Sequence, residues 1–173
     1  MSRPISILSV VCTLALSATR ASAQRPTADS AATRDWLIGV SAGIPGYERQ
    51  PVPELFTIGL NVSQTTPGRL GADFSIGTMP RALMERAAVL GARAGVVFPI
   101  APTADVLVLP SAGVSLLGGA GEGGGGAIAG MNAGIAAVIW SGDVGVRTGI
   151  TWHRFQDFRG AIWLVEFGVV HTR

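Results

Sequence analysis

The stretch from residue 143 to 171 constrains this chain most. It reads as two strands of alternating character, joined by a short polar loop over 154–159. In the first, Val144, Val146, Ile150 and Trp152 share one parity. Gly145, Arg147, Gly149, Thr151 and His153 share the other. In the second, Ala161, Trp163, Val165, Phe167 and Val169 oppose Ile162, Leu164, Glu166 and Gly168. Side chains of successive strand residues point to opposite faces. Arg147 and Glu166 therefore each sit in the middle of a very apolar strand. In a soluble, half-buried strand they would face water. In a chain that looks exported, the same pattern implies a transmembrane barrel wall, with lipid outside and a polar lumen inside.

Export is read from the start of the chain. Arg3 precedes a short apolar run over 5–16, and Ala21-Ser22-Ala23 gives a small-x-small cleavage pattern. Residues 1–23 thus read as a secretory signal peptide. The apolar run is too short for a spanning helix, which needs roughly 20 apolar residues. Cys12 comes too early, and lacks the small preceding residue, for a lipidated cysteine. It is the only cysteine, so the mature chain forms no internal disulfide. Its stability must come from burial and hydrogen bonding. Residues 24–34 are polar and small, a flexible periplasmic lead-in, and 35–173 form the barrel domain.

Six further strands precede the final pair. Over 36–43, Trp36, Ile38, Val40 and Ala42 oppose Leu37, Gly39, Ser41 and Gly43. Over 55–64, Phe56, Ile58, Leu60 and Val62 oppose Thr57, Gly59, Asn61 and Ser63. Over 70–77, Leu70, Ala72, Phe74 and Ile76 oppose Gly71, Asp73, Ser75 and Gly77. Over 88–98, Leu90, Ala92, Ala94, Val96 and Phe98 oppose Gly91, Arg93 and Gly95. Pro110 interrupts 106–116, as at a bulge or an end of pairing. Over 127–139, Met131, Ala133, Ile135 and Ile139 oppose Gly130, Asn132 and Gly134. These lengths suit tilted membrane strands of about 9–11 residues. The connections at 64–68, 99–104 and 141–143 are short, as periplasmic turns are. Those at 44–53, 78–86, 118–126 and 154–159 are mostly longer, as external loops are.

The expected fold is all-β: an eight-stranded, antiparallel, up-and-down transmembrane β-barrel. Its inward parity carries Asn61, Asp73, Arg93, Asn132, Arg147, His153 and Glu166. The interior of such a barrel is only wide enough for side chains. Unpaired charges there would be costly, so Arg93 and Arg147 are expected to meet Asp73 and Glu166 in a structural network that plugs the lumen. Trp36 and Phe98 fall near one end of the strands, and Phe56, Trp152 and Trp163 near the other. They form two aromatic girdles at the membrane interfaces. Trp140 lies near a turn with inward parity, and a bulge would be needed to turn it to the girdle.

On this pattern the chain resembles the small eight-stranded outer-membrane barrels of the OmpA/OmpX type, over nearly all of 36–171. The resemblance implies the outer membrane of a Gram-negative-type bacterium as location. It implies outer-membrane lipid and the outer-membrane assembly machinery as partners, and a structural or surface-interaction role without catalysis. Such barrels usually end on an aromatic residue. This sequence ends Val170-His171-Thr172-Arg173, with Phe167 several residues earlier.

Other readings are weaker. With the leader removed, the eleven remaining Arg balance eleven Asp and Glu, which excludes the basic footprint of a nucleic-acid binder. Gly119-Ala120-Gly121-Glu122-Gly123-Gly124 matches G-x-G-x-x-G but precedes a strand instead of a helix, and reads as a floppy external loop. Two His and no mature Cys give no transition-metal site, and no cofactor is expected. A soluble exported barrel of lipocalin type, with an apolar ligand inside, would need the opposite polarity. A lipid-modifying outer-membrane enzyme would need a nucleophile near His153. The His-x-Ser-Asn motif of lipid A deacylases is absent there, since Arg154-Phe155-Gln156 follows. Neither an external ligand nor a surface partner is named by any motif.

Overall fold

The computed structural model describes residues 36–172, apart from 49, 123 and 157. The expected leader at 1–23 and lead-in at 24–34 lie outside the described residues. Eight long strands form one antiparallel wall: β1 Trp36–Tyr47, β2 Thr57–Gln64, β3 Gly71–Thr78, β4 Ala88–Val97, β5 Val106–Gly121, β6 Gly124–Ser141, β7 Val144–Phe155 and β8 Ile162–Thr172. Each pairs with its neighbour in sequence, and β1 pairs with β8 from Leu37↔Thr172 to Tyr47↔Ile162. The sheet therefore closes on itself. Closure leaves the wall no free edge where neighbouring strands overlap, so the backbone groups there are satisfied within it; the start of β6, over 124–129, runs past β7.

The two parities separate cleanly. Val40, Leu60, Val114 and Val146 are 54%, 55%, 61% and 58% exposed, although they lie mid-strand. On the opposite parity Ser63 and Asn61 are 0% and 1% exposed, and Asp73, Arg93, Arg147 and Glu166 are all buried. An apolar exterior around a charged interior is the polarity of a membrane-crossing barrel. A water-soluble barrel would turn the same residues the other way.

The ends differ in detail from the sequence expectation. Turns at 65–70 and 142–143 lie at the same end as residues 36 and 172, the expected periplasmic side. The connection from β4 to β5 there holds a short strand, Ile100–Thr103, which pairs back onto the start of β5. At the other end β1 runs on through Pro45 to Tyr47, where a loop was expected from residue 44. A 3-10 turn at Pro53–Leu55 and a short helix, α1 Pro80–Met84, fill two of the outer connections.

The glycine-rich segment at 118–126 was expected to be a floppy loop. It is instead the projecting end of the β5–β6 hairpin, paired from Gly118↔Ala127 to Gly121↔Gly124. Gly124 at φ 116° supplies the left-handed backbone that the tight turn needs. Glycine lowers intrinsic strand preference, but the hydrogen-bonding backbone is intact, and the ladder simply continues. Pro110 interrupts pairing on one side only, between the β4 ladder and the short strand Ile100–Thr103. It stays opposite Ile135 in the β5–β6 ladder, while β4–β5 pairing stops at Val97↔Ser111. Its carbonyl accepts the Phe98 N–H at 3.0 Å.

Leu60→Arg should destabilise the barrel by about 2–4 kcal/mol if that position meets mid-bilayer lipid. Unfolding titrations in lipid bilayers measure this, and an unchanged midpoint would place Leu60 away from lipid. Gly95 and Gly113 face each other across β4 and β5, and a Cβ on Gly95 would stand 2.8 Å from the Gly113 Cα. Gly95→Val should therefore cost about 1–3 kcal/mol through overcrowding, read in the same assay.

Candidate functional site

Alternation brings inward side chains of six strands to the middle of the lumen. Glu166 on β8 is the hub. Its Oε2 accepts a hydrogen bond from Arg93 Nη1 at 2.8 Å, across the barrel from β4. Its Oε1 accepts one from Ser41 Oγ on β1 at 3.4 Å. Arg93 is held from two further directions: Nη1 donates to Thr151 Oγ1 at 2.8 Å, and Nη2 donates to Asn61 Oδ1 at 3.2 Å. Asn61 Nδ2 donates in turn to Ser41 Oγ at 2.8 Å, closing a ring through β1, β2, β4 and β8.

Asp73 and Arg147 are attached more loosely. Asp73 Oδ1 accepts from Ser63 Oγ at 2.5 Å, while its Oδ2 stands 3.9 Å from Arg93 Nε. Arg147 Nη1 stands 3.8 Å from Glu166 Oε2, an ion-pair contact beyond hydrogen-bond reach. Arg147 Nε and Nη1 are buried and make no hydrogen bond among the described residues. Two guanidinium groups and two carboxylates thus share the layer, with one strong pair between them.

Asn132 and His153 form a separate, half-buried string nearer the outer end. Asn132 Nδ2 donates to Ser115 Oγ at 2.8 Å, and Ser115 Oγ lies 2.9 Å from His153 Nδ1. A serine beside a histidine is the start of a nucleophilic arrangement, which also needs a third group to orient the ring. Here the third member, Asn132, is bonded to the serine and not to the ring. Ser41, Ser63, Ser115 and Thr151 were not singled out from sequence. Their inward parity was the available signal, but small hydroxyls at such positions do not announce a partner on a distant strand.

Below the ionic layer, toward the expected periplasmic end, the interior is apolar. Leu37, Val97, Leu107, Leu109, Ala136, Val138 and Val170 form a buried cluster, with Trp140 packed against it. Trp140 thus keeps its inward parity. β6 stays in continuous register at Trp140↔Gly145, so no bulge turns the ring outward. Of the expected girdle residues, Trp36 and Phe98 are exposed at this end, and Phe56 and Trp152 at the other. Trp163 lies opposite Trp152 and is half-buried; its Nε1 donates to the Glu48 carbonyl at 3.2 Å.

No protein-family model matches the chain, and no curated protein matches it. Solved structures do. The N-terminal β-barrel domain of OprF from Pseudomonas aeruginosa is similar at TM-score 0.58 and 11% identity, covering 81% of this chain and 98% of that one. Neisserial surface protein A is similar at 0.53 and 10% identity, covering 80% and 97%. Ail, the attachment invasion locus protein of Yersinia pestis, is similar at 0.51 and 10% identity, covering 80% and 96%. The fold is that of the small eight-stranded outer-membrane barrels, shared almost end to end at very low identity.

The two arginines should separate on substitution. Arg93→Met leaves Glu166 without its 2.8 Å partner and should cost about 3–5 kcal/mol. Arg147→Met removes a 3.8 Å contact and a poorly bonded guanidinium, and should cost distinctly less. Equal losses in chemical unfolding would move the hub away from Glu166.

Proposed function

We propose that the mature chain is an integral outer-membrane barrel protein with a structural or surface-interaction role, without catalysis or solute conduction. One observation carries this reading. The exterior is a continuous apolar belt, and the lumen is crossed by a hydrogen-bonded ionic layer resting on an apolar floor. Lipid would hold the belt, and the layer and the floor together would block an aqueous path. Trp36, Phe98, Phe56, Trp152 and Trp163 would sit at the two interfaces, where amphipathic rings are favoured. Outer-membrane lipid and the assembly machinery are the partners this implies. The four outer connections would be the parts presented at the cell surface. The 3-10 turn, α1 and the glycine hairpin stand there beyond the shared wall.

Two measurements test this. Expressed with its own leader in a Gram-negative host, the mature chain should stay in the outer-membrane pellet after carbonate washing. Release into the wash contradicts membrane integration. Reconstituted in planar bilayers, it should give no stepwise ion currents; regular conductance steps would contradict the plugged lumen.

A further inference from the structure

The lumen is filled unevenly. Below the ionic layer large aliphatic side chains close it. Above that layer, three inward glycines stand side by side on adjacent strands, Gly59 opposite Gly77 and Gly77 opposite Gly91. Neighbouring strands are about 4.8 Å apart, so three positions without side chains hollow out a wide strip of wall. A cavity of about 120 Å³ lies against them. Its other walls are largely apolar, with Phe155, Leu164 and Leu117; Arg93, Glu166 and His153 line it too, together with the hydroxyl residues Ser41, Thr57, Ser75, Thr78 and Ser115. Pro45 and Met79 line it near the outer strand ends, so the approach is from the loop side.

We propose that this hollow is a binding site for a small, uncharged, mainly apolar molecule with one hydrogen-bonding group, about the size of a single aromatic ring. The volume sets the size, since an apolar cavity of about 150 Å³ in another protein binds benzene. The ionic layer sets the charge. Arg93 and Arg147 are matched by Asp73 and Glu166, and an anion would have to compete with the 2.8 Å Arg93–Glu166 contact. His153 supplies the polar end. Ser115 Oγ accepts from Asn132 Nδ2 and lies 2.9 Å from His153 Nδ1, a contact in which either atom can donate. In the proposed site the Ser115 hydroxyl donates to Nδ1, so that the ring carries its proton on Nε2 and offers a ligand oxygen a donor. The His153 and Phe155 rings stack within 5° of parallel, with centroids 6.1 Å apart, which places an aromatic ring next to the imidazole. This site stands on the geometry of the lumen and does not depend on the surface role proposed above.

The test uses the mature chain folded in lipid nanodiscs and titrated with 4-fluorophenol, with amide NMR as the readout. The amides of Gly59, Gly77 and Gly91 should shift and saturate, while those of Leu37 and Val138 in the apolar floor stay still. A Cβ on Gly91 meets nothing closer than the Gly77 carbonyl oxygen at 3.9 Å and Leu117 Cδ1 at 4.0 Å. Gly91→Leu should therefore fill the hollow and weaken binding about tenfold or more. Should that variant fail to fold, Gly91→Ala should give a smaller loss in the same direction. His153→Phe should abolish the preference for 4-fluorophenol over fluorobenzene. Shifts confined to outward residues away from the cavity, such as Val40 and Val146, would mean simple partition into lipid and overturn the site. So would saturable binding undiminished by the substitutions at Gly91. A preference that survives His153→Phe would overturn the role given to the imidazole.

Discussion

The interior depends on one contact, the 2.8 Å hydrogen-bonded ion pair between Arg93 and Glu166. Two charges taken out of water lose their hydration, and only close pairing with further hydrogen bonds offsets that loss. The surrounding residues provide those bonds. Thr151 and Asn61 accept from Arg93, and Ser41 joins Asn61 to Glu166. The result ties β1, β2, β4, β7 and β8 together through the centre, while the backbone ladder ties each strand only to its neighbours. Arg147 shows the limit of the arrangement. It balances the charge of the layer from 3.8 Å, without a hydrogen bond to the carboxylate.

That ionic layer is possible because the wall is closed. An open sheet of this composition would expose unpaired backbone at two edges, which neither lipid nor a protein core tolerates. Pairing of β1 with β8 removes both edges and encloses the charges. Closure also explains the glycines. Gly95 and Gly113 face each other where the inner wall is crowded, and Gly59 and Gly77 also approach neighbouring backbone closely, whereas Gly91 beside them opens onto the hollow. The same residue type makes room for backbone in one place and leaves space in another. The lumen thus has three levels: an apolar floor, an ionic layer and an open, mostly apolar vestibule.

Much of this was legible in the chain because a strand has a period of two. Phe56, Ile58, Leu60 and Val62 against Asn61 and Ser63 assign the two faces of β2 without any knowledge of its neighbours. The same logic placed Asp73, Arg93, Arg147 and Glu166 on one parity. Parity assigns a face and no height along the barrel axis. It therefore could not say that Arg93 would reach Glu166 closely and Arg147 only at a distance. Nor could it separate Asn132 and His153 from the central ring. Trp140 was read against the girdle it does not join, because an inward aromatic near a turn has meaning only once the apolar floor beside it exists. The glycine run at 118–126 misled for a related reason. Loop-like composition is a local preference, and pairing with a partner strand overrode it.

The sequence by itself determined the alternation, the number of wall strands and which side chains face inward, since each follows from spacing within one strand. Tertiary structure alone decided the heights and partners inside the lumen, the dominance of one ion pair and the hollow above it. Those depend on strand register around a closed ring, where residues more than a hundred positions apart, such as Ser41 and Glu166, are brought within bonding distance.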